Sequence, residues 1–221
     1  LYLQALGGAG AGADEPAHFA AGIREGTINL PATHPSIISV GCTVSRPKWR
    51  PVNGAVEIGL RVPLLDDRGV YAAGGHRDLQ DGEICWFSSA GPTVTGVPKP
   101  EIAAPGAAIV AAMSAQAKPG VTGSIFTNPS CPATQKGGDS DPKCLQIDDV
   151  HGVSVGTSMS SPIVAGAVAL LFQRDPTLTQ DKLLALLQSG AHRFRLPIDA
   201  GQTIYDPAPF GDQSGPGEVD V

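Results

Sequence analysis

The pattern of apolar and polar positions predicts extended segments over most of the chain and helices near its end. The clearest extended segment is 35–44, which is β-branched and apolar and begins at a proline. Residues 55–65 alternate partly and meet a turn at 66–69, so residues 70–75 are expected to return as the other arm of a hairpin. Further extended segments are predicted at 1–6, at 83–92, at 149–155 and, around a Pro-Gly turn, at 100–113.

Two helices are predicted after these segments. The first covers 158–173 and is small and apolar on all sides, so we expect it to be buried. The second lies within 175–190, with Thr179 as its N-cap, Asp181 in a favourable first-turn position and Gly190 as its stop. Strands interleaved with helices predict an α/β fold with a largely parallel sheet.

Composition and charge narrow the classes of partner. The chain has 221 residues and a net charge of −6, and it contains no basic run, which argues against binding to a nucleic-acid backbone. Its longest apolar run, 163–172, is about half of the roughly 18 residues that a membrane span needs. Glycine and proline number 28 and 20, which predicts many loops and close backbone packing rather than a helical bundle.

The cysteines indicate whether the protein occurs in an oxidising or a reducing cellular compartment. They lie at positions 42, 85, 131 and 144 and form no C-x-x-C pair, so a zinc site is not expected. Cys131 and Cys144 flank a polar loop that a disulfide would link. The even number of cysteines and this loop setting favour an oxidising compartment, extracellular or periplasmic. The alternative is that the thiols are free or buried.

The stretch VGTSMSSP, residues 155–162, places serines where an extended segment meets the apolar helix. A helix N-terminus offers unpaired N–H groups and a partial positive charge, which would stabilise an oxyanion forming beside Ser158. Gly156 would let the backbone pass close to a substrate, and the Thr157 hydroxyl would add a donor. The alternative is that one of the three serines only caps the helix, because serine is a favoured N-cap.

The same stretch, continued as GTSMSSPIVAGAVALL, resembles the nucleophile motif of the subtilisin family, the subtilases. Four further stretches are similar to landmarks of that family in the same order: LPATHPSIISVG at 30–41, FSSAGP at 87–92, KPEIAAPG at 99–106 and GPGEVDV at 215–221. The resemblance covers most of the chain. It implies a three-layer α/β/α sandwich with a mainly parallel sheet. Residues 1–221 would be the C-terminal part of that peptidase domain, with its N-terminal part missing from this chain.

The resemblance implies a secreted serine endopeptidase that cuts peptide or protein substrates with an Asp-His-Ser triad, needs no cofactor and is processed from a zymogen. Ser158 matches the nucleophile, and Thr157 matches an oxyanion or substrate-binding donor. The motifs for the Asp and the His are not found, so both are expected from an upstream segment, for example a separate processed chain. His151 is expected to line the cleft or to lie on the surface. The alternative is a non-catalytic subtilase-like domain that binds or scaffolds.

Two stretches match parts of the family's substrate cleft. Gly8 lies where the family has an asparagine that holds the developing negative charge, and losing that donor costs about 100- to 1000-fold in rate. Either Gly8 replaces it or the match is shifted at this end of the chain. Asn29, Leu30 and Pro31 match a wall of the primary specificity pocket, where Pro31 corresponds to a cis-proline. Asn29 stands where the family often has glycine and is expected to narrow the pocket.

Two segments, near 46–83 and near 114–148, are longer than the family's usual links and are interpreted as insertions. Cys42 and Cys85 would lie on adjacent strands at the base of the first insertion. A disulfide there and two small buried side chains are equal alternatives.

Calcium is the metal that the resemblance suggests, because subtilases often bind it. The acidic stretches DSD at 139–141 and DD at 148–149 offer carboxylates for such a structural ion. Neither stretch has a full set of ligands, so solvated acidic loops are the favoured interpretation.

Overall fold

The computed structural model describes residues 26–54, 57–65, 71–85, 87–128, 142–192 and 218–219. The strand expected at 1–6, Gly8, Cys131 and the acidic stretch 139–141 lie outside these residues. The described elements, in chain order, are β1 (Val40–Val44), β2 (Lys48–Trp49), β3 (Ile58–Gly59), β4 (Arg61–Leu65), β5 (Tyr71–Asp78), β6 (Ile102–Ala107), β7 (Ile109–Ala112), β8 (His151–Ser154), α1 (Thr157–Arg174) and α2 (Gln180–Ser189).

The strands β1 and β6 form a parallel pair against which both helices pack. Val40 lies opposite Ile102 in this pair, and Ala103 adds a parallel bridge to Glu218. One core cluster joins the strands to the helices: Ile102, Ala104, Val164, Leu183, Leu187 and Val219. The alanines of β6 let α1 approach the strand closely. The described elements thus form an α/β arrangement, as the sequence predicts.

Helix α1 confirms the predicted helix, but the expectation that it is buried on all sides is wrong. Ser160 and Val164 are its buried residues, whereas Leu170 is 64% exposed and Phe172 is 40% exposed. The helix is apolar around its whole circumference, yet the described elements cover only the side that faces β1 and β6. Within the described residues, no helix is long and apolar enough to cross a membrane.

Helix α2 has the predicted ends. The Thr179 side chain accepts a hydrogen bond from the amide of Lys182, Asp181 lies in the first turn, and Gly190 is the C-cap. Leu183 and Leu187 are buried against β6. Because they are four residues apart, about one helical turn, they lie on the same face of α2, and this is the face that packs.

Turns replace the first part of the strand predicted at 35–44. The amide of His34 donates to the carbonyl of Pro31, and the amide of Ile37 donates to the carbonyl of His34, both at 3.1 Å. These local bonds curl the chain before β1 begins. The β-branched composition therefore predicted a strand that starts five residues too early.

Two other predicted segments also differ from the observed strands. The described residues of 83–92 contribute only an isolated bridge between Ile84 and Thr43. The Pro105-Gly106 pair lies inside β6 and makes no turn. The break comes at Ala108, whose φ of 53° redirects the chain into β7. The segment predicted at 149–155 is confirmed as β8, which pairs antiparallel with β7.

The hairpin predicted from 55–65 and 70–75 is confirmed as β4 and β5, which pair from Arg61 opposite Asp78 to Leu65 opposite Tyr71. A disulfide between Cys42 and Cys85 closes its base, with the two Cα atoms 5.3 Å apart. Of the two alternatives that the sequence left open there, the bridge is therefore the one formed. Both cysteines are fully buried.

The two segments interpreted as insertions pack against each other. The indole N–H of Trp49 donates to the carbonyl of Cys144 at 2.7 Å, and the amide of Val52 donates to the carbonyl of Gln146 at 2.8 Å. Trp49, Ile58, Ala108, Cys144 and Val153 form one buried cluster. Cys144 is disulfide-bonded, and its expected partner, Cys131, lies outside the described residues.

Glu218 makes stability depend on pH. Its backbone bridges both Ala103 and His192, and burial raises the pKa of its carboxyl, with Asp81 acting in the same direction. The folded state therefore holds this proton more tightly than the unfolded state does. The resulting stabilisation is fully present below the ordinary glutamate pKa, about 4.3, and is lost as the pH rises through the raised value.

We therefore expect Glu218→Gln to lessen the fall in thermal stability between acidic and neutral pH. The measurement is the midpoint of thermal unfolding at several pH values for both proteins. Glu57→Gln, at an exposed carboxyl, is the control and should follow the parent protein. An unchanged pH dependence in Glu218→Gln would contradict the assignment.

Candidate active site

The junction of β8 and α1 presents Ser158 at a helix N-terminus. Gly156 is the N-cap, with φ 155° and ψ 159°, a backbone geometry that favours glycine. Its amide donates to the carbonyl of Gly106 in β6 at 2.8 Å. No side chain caps the helix, and its first turn has no acidic residue. The alternative that a serine caps α1 is therefore wrong. The Met159 amide donates to the Gly156 carbonyl at 2.9 Å, whereas among the described residues no acceptor is found for the amides of Thr157 and Ser158.

The three serines of the motif have different surroundings. Ser160 is fully buried, and the Ser161 hydroxyl donates to the carbonyl of Thr157 at 3.0 Å. Ser158 is exposed, and within the described part of the chain its hydroxyl has no hydrogen-bond partner. Thr157 is half-buried beside it. Of the three hydroxyls, that of Ser158 is the one free to meet a substrate.

Gly106 holds the start of α1 against β6. A Cβ added at Gly106 would lie 2.1 Å from the Ser160 hydroxyl oxygen, 2.7 Å from the Gly156 carbonyl oxygen and 2.8 Å from Cys42 Sγ. Such distances are far inside van der Waals contact. Only a residue without a side chain lets the helix N-terminus approach this closely.

We expect Gly106→Ala to destabilise the protein by about 1–3 kcal/mol and to displace Ser158, because the Gly156 carbonyl is backbone and cannot rotate away. Chemical denaturation measures the loss of stability. Gly166→Ala, within α1 where an added Cβ meets nothing within 4 Å, is the matched control and should be neutral or stabilising. Equal stability of the two variants would contradict the close packing.

The residues expected to form a pocket wall lie on the loop before β1. The Leu30–Pro31 peptide bond is cis, as the resemblance implied for Pro31. Asn29 accepts a hydrogen bond from the Leu30 amide through its own Oδ1 at 2.8 Å. Leu30 is 79% exposed, so its side chain is available for contact with a bound molecule.

His151 takes part in a turn with Asp148. Its Nδ1 lies 2.8 Å from an oxygen of Asp148, and the amides of Val150 and His151 donate to the same carboxylate. These hydrogen bonds lower the pKa of Asp148, that from Val150 most. His151 begins β8 while Ser158 follows its end, and a strand of this length spans about 10 Å. The Asp–His pair closes the turn before β8.

The acidic pair at 148–149, one of the two candidate calcium stretches, includes a carboxylate that is engaged in a turn. The Asp148 carboxylate already accepts the hydrogen bonds of its own turn. Among the described residues, no group of three or more His, Cys, Asp or Glu side chains could hold a metal. The Asp148 carboxylate is therefore assigned to the turn, and calcium binding stays a prediction.

Two residues that touch the pocket loop were not predicted from the sequence. Lys99 and Glu101 are opposite charges on either side of a proline in an apolar stretch, and Lys99 is buried against the loop that follows Pro31. The spacing was a usable signal, because charges placed at the start of a buried strand need a partner.

Comparison with known proteins bears on the family of this chain. The model of the subtilase family, described as Peptidase_S8, matches residues 11–204. The serine protease AprX of Bacillus subtilis (strain 168) is 30% identical over 152 residues, which is 69% of this chain and 28% of that protein. The chain thus spans less than a third of the curated relative. Because the family model matches well over half of the chain, the chain belongs to the subtilase family.

Proposed function

We propose that this chain contributes the nucleophile, Ser158, to a serine endopeptidase. The observation that carries the proposal is an exposed serine hydroxyl at an uncapped helix N-terminus. A serine protease among its relatives supports the same chemistry. The substrate class is a peptide or protein, because the proposed reaction is hydrolysis of a peptide bond.

The proposed reaction needs groups from outside the described residues. A histidine takes the proton as Ser158 Oγ bonds to the substrate carbonyl carbon, and an aspartate orients that histidine. The carbonyl oxygen becomes an oxyanion, which the first N–H groups of α1 and the Thr157 hydroxyl face. Collapse breaks the peptide bond, and the amine leaves with the proton. Water then releases the acyl group by the same route. We assign the histidine and aspartate to an upstream segment of the domain.

The proposed cleft has two parts. Asn29, Leu30 and Pro31 form a wall of the pocket for the residue before the cut bond, and the exposed Leu30 side chain favours an apolar substrate group there. Gly8 is proposed to match the position of the family's oxyanion asparagine, and because glycine offers no side-chain donor, more of the charge would then fall to the helix amides. No metal or cofactor is assigned a role.

The complete domain is proposed to be a three-layer α/β/α sandwich with a mainly parallel sheet, to which β1, β6 and both helices belong. The exposed apolar side of α1, around Leu170 and Phe172, is where the upstream part would pack. The Cys42–Cys85 bridge favours secretion, because disulfides persist in oxidising compartments. We also propose that the secreted protein is processed from a zymogen.

The second candidate is a subtilase-like binding or scaffolding domain without catalysis. The observation that favours it is that Ser158 has no histidine partner among the described residues. An enzyme and a binding domain differ in the reactivity of this one hydroxyl.

Mass spectrometry of the full-length protein after treatment with a fluorophosphonate tests the proposal. Labelling confined to Ser158 is expected if the serine is activated, because an unactivated hydroxyl reacts far more slowly. Absence of labelling on a folded full-length protein would overturn the enzyme proposal and favour the binding domain.

A further inference from the structure

A buried lysine forms hydrogen bonds to the loop that follows the proposed pocket wall. The Lys99 side chain is 0% exposed. Its ammonium donates to the carbonyls of His34, at 3.1 Å, and Ile37, and to the carboxylate of Glu101. A lysine ammonium has three donors, and here each one has an acceptor. We call this group, Lys99 and Glu101 with the carbonyls of His34 and Ile37, the Lys99 cage.

Glu101 ties the Lys99 cage to the rest of the fold. Its second carboxylate oxygen accepts from the Ser39 amide at 2.8 Å, and its own amide donates to the Ser39 carbonyl at 3.1 Å. Its carbonyl accepts from the Gln188 side chain of α2 at 2.9 Å. The loop is thus joined to β6 and α2 at one point.

The backbone at Lys99 is itself held in place. A Cβ added at Gly91 would lie 1.8 Å from the Lys99 carbonyl oxygen, so the neighbouring chain fits against Lys99 only because residue 91 is glycine. A fixed backbone, a buried side chain and a satisfied cation make a rigid anchor.

The loop needs such an anchor. Between Pro31 and Ser39 it is formed by short turns, and His34, Ser36 and Ile37 are exposed. Turns of this kind do not by themselves fix a loop against the core. Burying a charge is costly unless it is fully hydrogen-bonded, and filling the space alone would need only an apolar side chain. The charge serves to hold the two carbonyls.

We propose that Lys99 is a positioning residue for the substrate pocket, acting through the loop carbonyls on the wall formed by Leu30 and Pro31. This inference rests on the proposed function, since it takes that wall to contact the substrate residue before the cut bond. Loss of the cage leaves Ser158 in place and loosens the wall.

The test uses Lys99→Met in the full-length protein and two probes of Ser158. A small alkyl fluorophosphonate reacts with the serine without filling the pocket. A peptidyl phosphonate with an apolar residue before the reactive group must fill it. We expect the second rate to fall by about 10- to 100-fold, the size of effect that a misplaced binding group produces, and the first to stay unchanged. A merely structural role would lower both rates together.

Matched variants separate the cage from general damage. Lys182→Met, at an exposed lysine of α2, should leave both rates unchanged. Lys99→Met/Glu101→Gln leaves no unpaired buried charge, so it is the variant to use if Lys99→Met does not fold. It should show the same split between the two probes as Lys99→Met, because both variants lose the tie to the carbonyls.

Hydrogen exchange gives a readout that does not depend on activity. The amides of residues 32–34, 36 and 37 should exchange faster in either cage variant than in the parent protein, while amides of α1 are unchanged. Unchanged exchange in this loop, or equal loss of rate with both probes, would overturn the inference. If the parent protein is not labelled by the small probe, the proposed function fails, and the exchange of 32–37 still decides whether the cage holds the loop.

Discussion

Ser158→Ala in the full-length protein is expected to abolish fluorophosphonate labelling and to lower peptide hydrolysis by about 10⁶-fold, the magnitude known for serine proteases of this catalytic type. The reason is that no other hydroxyl of the motif is placed to replace it. Ser160 is buried, and the Ser161 hydroxyl bonds to its own helix. The measurement is kcat/KM on a peptide substrate, with labelling followed by mass spectrometry.

Ser161→Ala is the matched control for this prediction, because it removes a hydroxyl three residues away on the same helix. It should keep most of the activity, since the Ser161 hydroxyl is already engaged as a donor to the carbonyl of Thr157. A fully active Ser158→Ala protein, or an equal loss in both variants, would show that the nucleophile lies elsewhere.

Removing the Cys42–Cys85 disulfide by Cys42→Ala/Cys85→Ala is expected to destabilise the protein by about 4 kcal/mol. The bridge spans a sequence separation of 43, so its loss frees a long loop in the unfolded chain. Both sulfurs are also buried, and Cys42 packs beside Gly106 at the start of α1. Denaturant unfolding without reductant measures the change.

The same double variant reports on the site as well as on the fold. Cys42 lies in β1, against which α1 packs, so an effect of the double variant on Ser158 has to be tested. We expect labelling of Ser158 to weaken only in proportion to the fall in the folded fraction. Normalising the labelling rate to the folded fraction is the control. A loss of stability below about 1 kcal/mol would mean that packing alone, without the covalent constraint, holds the hairpin of β4 and β5.

Local chemistry explains what the sequence could predict in the fold. Thr179 caps α2 and Gly190 ends it, because these residues act on backbone groups within one turn. The start of α1 follows from Gly156 for the same reason. The sequence does not predict the start of β1, because the loop before it is held by the distant Lys99, whose ammonium donates to the carbonyls of His34 and Ile37.

The candidate site, like the fold, has one part that the sequence predicts and one part that it does not. The motif around Ser158 was readable because all of its parts lie within eight residues. The role of Lys99 was not, because its acceptors, His34 and Ile37, are more than sixty residues away in sequence.

By itself, the sequence determined the two helices, the α/β class and the serine at the N-terminus of α1, since each depends on residues close together in the chain. Only the tertiary structure decided that Ser160 is buried while Ser158 is exposed, that Cys42 pairs with Cys85, and that the Lys99 ammonium is enclosed by three acceptors. The physical reason is that burial, disulfide geometry and the satisfaction of a buried charge depend on which distant segments meet, and hydrophobic patterning does not encode those meetings residue by residue.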